Sequence, residues 1–427
     1  MSATTTDPSR RDAPASCDDD YDPASLSCEQ ALARLLEAVT PIEGSERVHL
    51  RAALGRVLAA PVVARCDVPA HTNSAMDGYA INAEDLPPSG TAELPVVGAS
   101  FAGKPYRARL ARGTAVRIMT GAVVPEGADT ILIQERVEER DGRIRFDAHH
   151  ERGQHVRHAG EDLKAGAEAF TPGRRVSAAD LGVIASLGIG ELTVLRRPRI
   201  AFFSTGDELR SLGEPLGLGE IYDSNRYTLH GMLSTLGVEL VDLGVVADDP
   251  ASLEAAFRVA ARDADAVITS GGVSVGEADY TREILARLGE VRFWKVAMKP
   301  GRPLAFGKLG RAWFFGLPGN PVSVMVTFYE FVRPALDQLA GTAPRLPWTA
   351  TARVTRALKK RPGRVEFQRG RLTRAADGTL EVTPTGEQGS GILSSMSQAN
   401  CLIVLGLETT RIDAGSPVEV QPFEGLL

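Results

Sequence analysis

The chain predicts a multidomain α/β-plus-β protein: an α/β domain with a parallel-rich sheet and flanking helices, a small β domain inserted into a helical domain, and a compact all-β domain at the C-terminal end. Three observations lead there. From Pro198 to about Gly341, apolar strand-like runs alternate with helical patterns. Residues 67–162 carry short β-prone runs broken by Gly and Pro, between two capped helices. Beyond 349, β-runs again alternate with turns. A length of 427 residues exceeds one ordinary core, so several domains are expected. The partition is a disordered tail over 1–20, a discontinuous helical domain over 21–66 and 163–196, the inserted β domain over 67–162, the α/β domain over 197–344 and the β domain over 345–427.

The elements follow in order. Ser27 with Gln30 forms a capping box, Ala31, Leu32, Leu35, Leu36 and Val39 share one helix face, and Pro41 stops the helix. A second helix is expected around 47–59, carrying Val48, Leu50, Leu54 and Leu58. In the insertion, β-runs fall at Leu94–Val97, Ala115–Met119, Thr130–Gln134 and Arg143–Phe146, and Asp141-Gly142 signals a hairpin. Ser177 and Asp180 cap the next helix. In the α/β domain, strands are expected at Arg199–Phe203, Leu240–Val246, Ala266–Ile268, Phe293–Val296 and Ala312–Phe315. Helices are expected at 225–236, 250–261, 279–288 and 321–339. Asp377-Gly378 and Ala414-Gly415 mark turns in the last domain.

Composition narrows the function. The chain is 43% apolar and 24% charged, which suits a globular protein, and its net charge of −6 argues against general nucleic-acid binding. An anionic substrate must therefore be met by local Arg and Lys. Cys17, Cys28, Cys66 and Cys401 make no C-x-x-C pair or zinc spacing, and His71, His155 and His158 show no metal spacing. Reduced thiols, a tail without an apolar core and no run long enough to span a membrane together predict a cytoplasmic protein with no membrane or nucleic-acid partner.

Three loops of the α/β domain follow strands. Ser204-Thr-Gly-Asp-Glu208 offers hydroxyl and amide donors at Thr205 and Gly206 and carboxylates at Asp207 and Glu208. The run Ser270-Gly-Gly-Val-Ser-Val-Gly-Glu-Ala-Asp279 combines Gly271, Gly272 and Gly276 with two hydroxyls and a carboxylate near a helix start. It suits a phosphate-bearing ligand and equally a plain Gly-rich connection. In Gly316-Leu-Pro-Gly-Asn-Pro-Val-Ser323, Pro318 and Pro321 stiffen the loop, and the helix start offers unpaired N–H groups to an anion. Ligands of open α/β sheets bind at that edge. Lys295 and Lys299, spaced to share a face of one straight strand, join Arg302 as an anion site or a solvated face. Asn73–Tyr79, Arg117–Ala122 and Gly160–Asp162 read as ordinary turns. Arg364, Arg369 and Ser390–Ser395 suit a tetrahedral oxyanion or a plain surface turn.

Taken together, these motifs make the chain resemble the MoeA family of molybdopterin molybdenumtransferases, related to the gephyrin E domain and the plant molybdenum-insertion proteins. The shared motifs are Asn73-Ser-Ala-Met-Asp-Gly-Tyr79, Arg117-Ile-Met-Thr-Gly-Ala122, Gly160-Glu-Asp162, Ser204-Thr-Gly-Asp-Glu-Leu209 and Ile221-Tyr-Asp-Ser-Asn225. They continue through Ser270–Tyr280, Lys295–Pro303 and Leu317–Ser323. The resemblance implies a molybdopterin-binding α/β domain, a C-terminal β-barrel and an elongated homodimer. The implied reaction inserts molybdenum from molybdate into adenylylated molybdopterin with release of AMP, assisted by Mg²⁺. Carried over by position, it assigns Asp77, Thr120, Asp162, Glu208, Asp248, Asp279, Lys295 and Lys299 to the reaction. It places Arg157, Thr205, Gly206, Gly271, Gly272, Ser274, Arg302, Pro318, Pro321, Ser323, Arg364 and Ser395 around the ligands, the last two with Ser323 at molybdate. Glu208 and Asp279 would hold the metal. Arg302 departs from the Lys often found there, keeping charge but changing geometry. Implied partners are a molybdopterin adenylyltransferase and apo-molybdoenzymes or their chaperones. Alternative readings are a molybdopterin adenylyltransferase and a gephyrin-like scaffold.

Overall fold

A computed structural model describes residues 24–272 and 279–423. The tail expected over 1–20 and the Ser274 loop lie outside the described residues. The chain divides into two compact units, one of Met1–Gly44 with Leu195–Leu427 and one of Ser45–Val194.

In the larger unit a six-stranded sheet has the order Glu239–Val246, Arg199–Thr205, Ala266–Ser270, Ala312–Leu317, Pro303–Leu309, Gly289–Lys295. The first four strands pair in parallel, and Pro303–Leu309 pairs antiparallel with both of its neighbours, Ala312–Leu317 and Gly289–Lys295. Burial on both faces explains why the central strands read as continuous apolar runs. Ile200, Phe202, Ile268 and Phe315 enter one core, while Ala201, Phe203, Val267 and Phe314 enter another. Helices Pro250–Asp263 and Asp279–Leu288 cover the second face, through Leu253, Phe257, Ile284 and Leu285. On the first lie Ser224–Ser234, the helical run over 321–339 and Cys28–Ala38, whose Ser27–Gln30 capping box is formed.

Three expectations change here. The 321–339 helix widens into a π-turn at Phe328–Val332. Pro334 follows directly after Arg333, and its missing N–H and bulky ring disfavour the regular ladder across the preceding turn. Lys295 and Lys299 do not share a straight strand. Lys295 ends an edge strand of the sheet, Val296 and Met298 turn into the core, and Met298–Lys299 runs beside Val365–Glu366 of the last domain. Burying those apolar side chains outweighs continuing the ladder. Pro303–Leu309, absent from the expected strands, returns through a tight turn at Gly310, where φ is 59°.

The C-terminal domain closes on itself. Val365–Arg374 bonds both Leu380–Pro384 and Cys401–Leu405, and Pro417–Pro422 and Ala350–Val354 complete the ring. Closure removes free sheet edges and makes a β-barrel around Val354, Val382, Ile403 and Val420.

The smaller unit holds a second six-stranded sheet, over Gly78–Ile81, Thr91–Ser100, Ala115–Ile118, Thr130–Ile133, Glu138–Arg140 and Arg143–Asp147. The Asp141-Gly142 hairpin forms, both residues having positive φ of 52° and 74°. Helix Ala178–Ser186 has the predicted Ser177–Asp180 capping box. The helix expected over 47–59 does not form: Ser45–His49 is a strand, Leu50–Ala53 is a single 3₁₀ turn, and Gly55 takes a φ of 74° that ends it. Leu58 is then buried against Val62, Ile184 and Val194, while Leu54 is exposed.

Candidate functional site

The ladders of the parallel strands end at Thr205, Ser270 and Leu317, and there the three loops meet. Gly271 has φ 93°, and a Cβ on it would stand 2.3 Å from the Thr205 carbonyl oxygen. Only glycine permits that approach of two backbones. Its N–H donates to the Leu317 carbonyl at 3.2 Å, joining the third loop.

These loops floor a cavity of about 1070 Å³. Thr205, Gly206, Asp207, Glu208, Asp248, Gly271, Gly272, Pro318, Asn320 and Ser323 line it from the sheet edge. Lys299 and Arg302 line a second side, and the barrel supplies Arg356, Lys359, Arg364, Glu366 and 386–390. A smaller basic recess of about 470 Å³ shares Lys299, Lys359, Arg364 and Glu366 with it and adds Lys360 and Arg361. The site thus carries both charges. Burial, with the added charges of Asp207, Glu208 and Asp249, holds the Asp248 carboxyl above the usual carboxylate range. Thr205 Oγ1 donates to Asp248 Oδ1 at 3.3 Å. Burial chiefly pushes the Lys360 ammonium down, helped by Arg364 and Lys299. Lys299 Nζ lies 3.8 Å from Glu366 Oε2.

The expected residues divide by location. Thr205, Gly206, Glu208, Asp248, Gly271, Gly272, Lys299, Arg302, Pro318, Ser323 and Arg364 gather at the cavity. Lys295 and Pro321 do not line it. Asp279 opens its helix, but its side chain lies outside the described residues, as does Ser274. Asp77, Thr120, Arg157 and Asp162 belong to the smaller unit. There Asp77 Oδ1 accepts from Thr120 N and Oγ1, both at 2.7 Å, and the Thr120 bonds hold its carboxyl below the usual range. Arg157 pairs with Asn73 across a short ladder, and Asp162 N donates to the Val68 carbonyl.

Two local expectations are revised. The Val322 N–H at the 321–339 helix start is not unpaired, because it donates to the Ser390 carbonyl at 3.1 Å. Ser395 is buried and does not line the cavity: its Oγ accepts from Arg369 Nε at 2.9 Å and donates to the Ile392 carbonyl at 2.6 Å. Ser390, at the other end of the same run, lines the cavity instead. Arg369 acts behind the wall. Its Nη2 donates to the Gly389 carbonyl at 2.9 Å, and burial lowers its pKa to about 10. Arg356 and Lys359 escaped the sequence reading, although the basic run Arg356–Arg364 was visible there.

Family models match in order along the chain: the MoeA N-terminal region (domain I and II) over 26–188, a probable molybdopterin binding domain over 201–338, and the MoeA C-terminal region (domain IV) over 351–423. The class is therefore a multidomain protein built around an α/β domain of the molybdopterin-binding type. A molybdopterin molybdenumtransferase of Haemophilus influenzae is 44% identical over 94% of this chain and all of its own length. One from a Nostoc species is 38% identical over 88% of each. The crystal structure of a molybdopterin biosynthesis moeA protein from Pyrococcus horikoshii matches 93% of this chain and 100% of its own, at 28% identity and a TM-score of 0.80. The chain belongs to the MoeA family of molybdopterin molybdenumtransferases, and is by that membership a transferase of molybdenum cofactor biosynthesis.

Proposed function

We propose that the cavity binds adenylylated molybdopterin and molybdate, and that the protein inserts molybdenum into the pterin dithiolene with release of AMP. The observation that carries the reading is the two-sided charge of one cavity. Its glycine-lined floor accommodates a flat, phosphate-bearing ligand, and Lys299, Arg302, Lys359 and Arg364 meet anionic oxygens. Glu208 and Asp248 present carboxylates on the sheet side.

The donor set fits Mg²⁺. It consists of oxygens, and the Asp248 carboxyl, raised chiefly by burial, is raised further by Asp207, Glu208 and Asp249, a repulsion that a cation would relieve. Among the described residues no group of three or more His, Cys, Asp or Glu side chains is placed to hold a metal ion. One or two carboxylates, Glu208 and Asp248 with Asp279 as the third candidate, would hold the ion together with ligand phosphates, as Mg²⁺ prefers. When bound, the ion supplies Lewis-acid polarisation of a phosphoryl oxygen. Lys299 and Arg302 stabilise charge on the leaving phosphate. In the smaller unit the Asp77–Thr120 pair is the prearranged polar cluster this reading assigns to the same reaction. The reading also takes the protein as a cytoplasmic homodimer that receives its substrate from an adenylyltransferase and passes its product to apo-molybdoenzymes or their chaperones.

The test is incubation of the purified protein with adenylylated molybdopterin, Mg²⁺ and molybdate or tungstate, followed by assay of AMP and of active cofactor. AMP release that depends on oxyanion and divalent ion is expected, and it should vanish in folded Asp279→Ala. An intact adenylylated pterin after prolonged incubation would refute the reading.

A further inference from the structure

The run Ile221-Tyr-Asp-Ser-Asn225 contributes nothing to the cavity lining, yet two of its side chains reach all three ligand loops. Asp223, 1% exposed, caps the Ser224–Ser234 helix by accepting from Arg226 N at 3.1 Å. The same Oδ1 accepts from Ser204 Oγ at 3.0 Å, directly before Thr205 of the first loop. Asn225 Nδ2 donates to Ser270 Oγ at 2.8 Å, directly before Gly271 of the second. It also donates to the Gly319 carbonyl at 2.6 Å, inside the third. The orientation of this amide is forced, because a flipped Asn225 would set its oxygen against the Gly319 oxygen.

The need for such a bridge follows from where the sheet stops. The ladder pairs Ser204 with Ser270, and Ser270 with Leu317, and then ends. Gly271, Gly272 and Gly319 have no side chains with which to hold their spacing. Backbone freedom is greatest where the ligand must be gripped most closely. A donor anchored on a helix start can hold that spacing while staying out of the cavity.

We propose that Asn225, supported by Asp223, is a positioning residue that sets the distance between Gly271–Gly272 and the Pro318–Pro321 loop, and so the fit of the pterin phosphate. The proposal rests on the reading of the cavity as the adenylylated-pterin site. Asn225→Ala removes both donors. Asn225→Asp keeps the shape but turns a carboxylate oxygen toward the Gly319 carbonyl.

Two measurements test it. In steady-state AMP release, Asn225→Ala raises KM for adenylylated molybdopterin about tenfold, the effect of about 1.4 kcal/mol, with a smaller change in kcat; Asn225→Asp raises it at least as much. Combining Asn225→Ala with Ser270→Ala adds less to log KM than the two single changes summed, because both act on one bridge. Without any ligand, hydrogen exchange at 271–272 and 319–320 accelerates in Asn225→Ala while Tm stays near wild type. Wild-type KM and exchange in Asn225→Ala overturn the proposal, as do a lowered Tm with unchanged KM and strictly additive double-variant effects. If the wild-type protein releases no AMP, the functional reading fails, and the exchange experiment judges the bridge alone.

Discussion

Truncating Arg369 should loosen the barrel wall of the cavity although Arg369 does not itself line it. The side chain is buried within the barrel and donates to Ser395 Oγ and to the Gly389 carbonyl, both at 2.9 Å, with a longer 3.4 Å contact to the Glu387 carbonyl. Hydrogen bonds from a charged donor contribute about 1.5–3 kcal/mol each, so the two short ones account for roughly 3–6 kcal/mol. The cost of burying the guanidinium, visible in a pKa lowered to about 10, offsets part of this. Arg369→Ala should therefore lose about 3 kcal/mol of stability. Arg369→Lys keeps a charge but has no planar fork, so it should lose about half as much. Ser395→Ala, which removes one bond, should lose about 1 kcal/mol. Urea unfolding of the full chain measures all three, and molybdate affinity by calorimetry should fall in the same order because residues 386–390 line the cavity. An Arg369→Ala protein within about 0.5 kcal/mol of wild type would refute the reasoning.

Three further outcomes follow. Gly271→Ala must place its Cβ 2.3 Å from the Thr205 carbonyl at a φ of 93°, so it should cost about 2–4 kcal/mol and abolish ligand binding, checked by urea unfolding and pterin fluorescence. Asp248 has a raised folded-state pKa, so the folded protein binds more protons than the unfolded chain once pH exceeds the unfolded value of about 4. Stability is lost as pH rises through that window, and ligand-free Asp248→Asn should gain on wild type there, the difference vanishing at lower pH in thermal melts. Mg²⁺ should stabilise wild type more than this variant. Burial, reinforced by Glu29, raises the Glu330 carboxyl from 4.5 to about 8 against a Gln421 hydrogen bond. Glu330→Gln should therefore gain stability progressively between about pH 4.5 and about pH 8 and hold it above, whereas a pH-independent difference would contradict the sign.

Much of the fold was legible because its signals are local. The Ser27–Gln30 and Ser177–Asp180 boxes satisfy orphan amides within one turn, and Asp141-Gly142 meets the φ demand of its own hairpin. The βα alternation placed Thr205, Gly271 and Pro318 after strands, and a parallel sheet brings such positions to one edge. The expected helix over 47–59 failed on a competing signal: Val48, Leu50, Leu54 and Leu58 match a helical period only if Gly55 stays helical, and it does not. Ser395 and Ser390 look alike in sequence, and only the buried Arg369 shows which hydroxyl is occupied and which faces the cavity.

Local chemistry alone therefore determined the caps, the turns and the βα alternation that puts three loops after strands, since each depends on neighbours a few residues apart. Tertiary packing decided the rest. It turned Met298 inward, so that Lys299 joined the barrel while Lys295 stayed on the sheet, and it brought Lys359 and Arg364 to face Glu208 and Asp248 across one cavity. Such neighbours are far apart in the chain, and their meeting is set by where apolar area is buried and where backbone ladders run out.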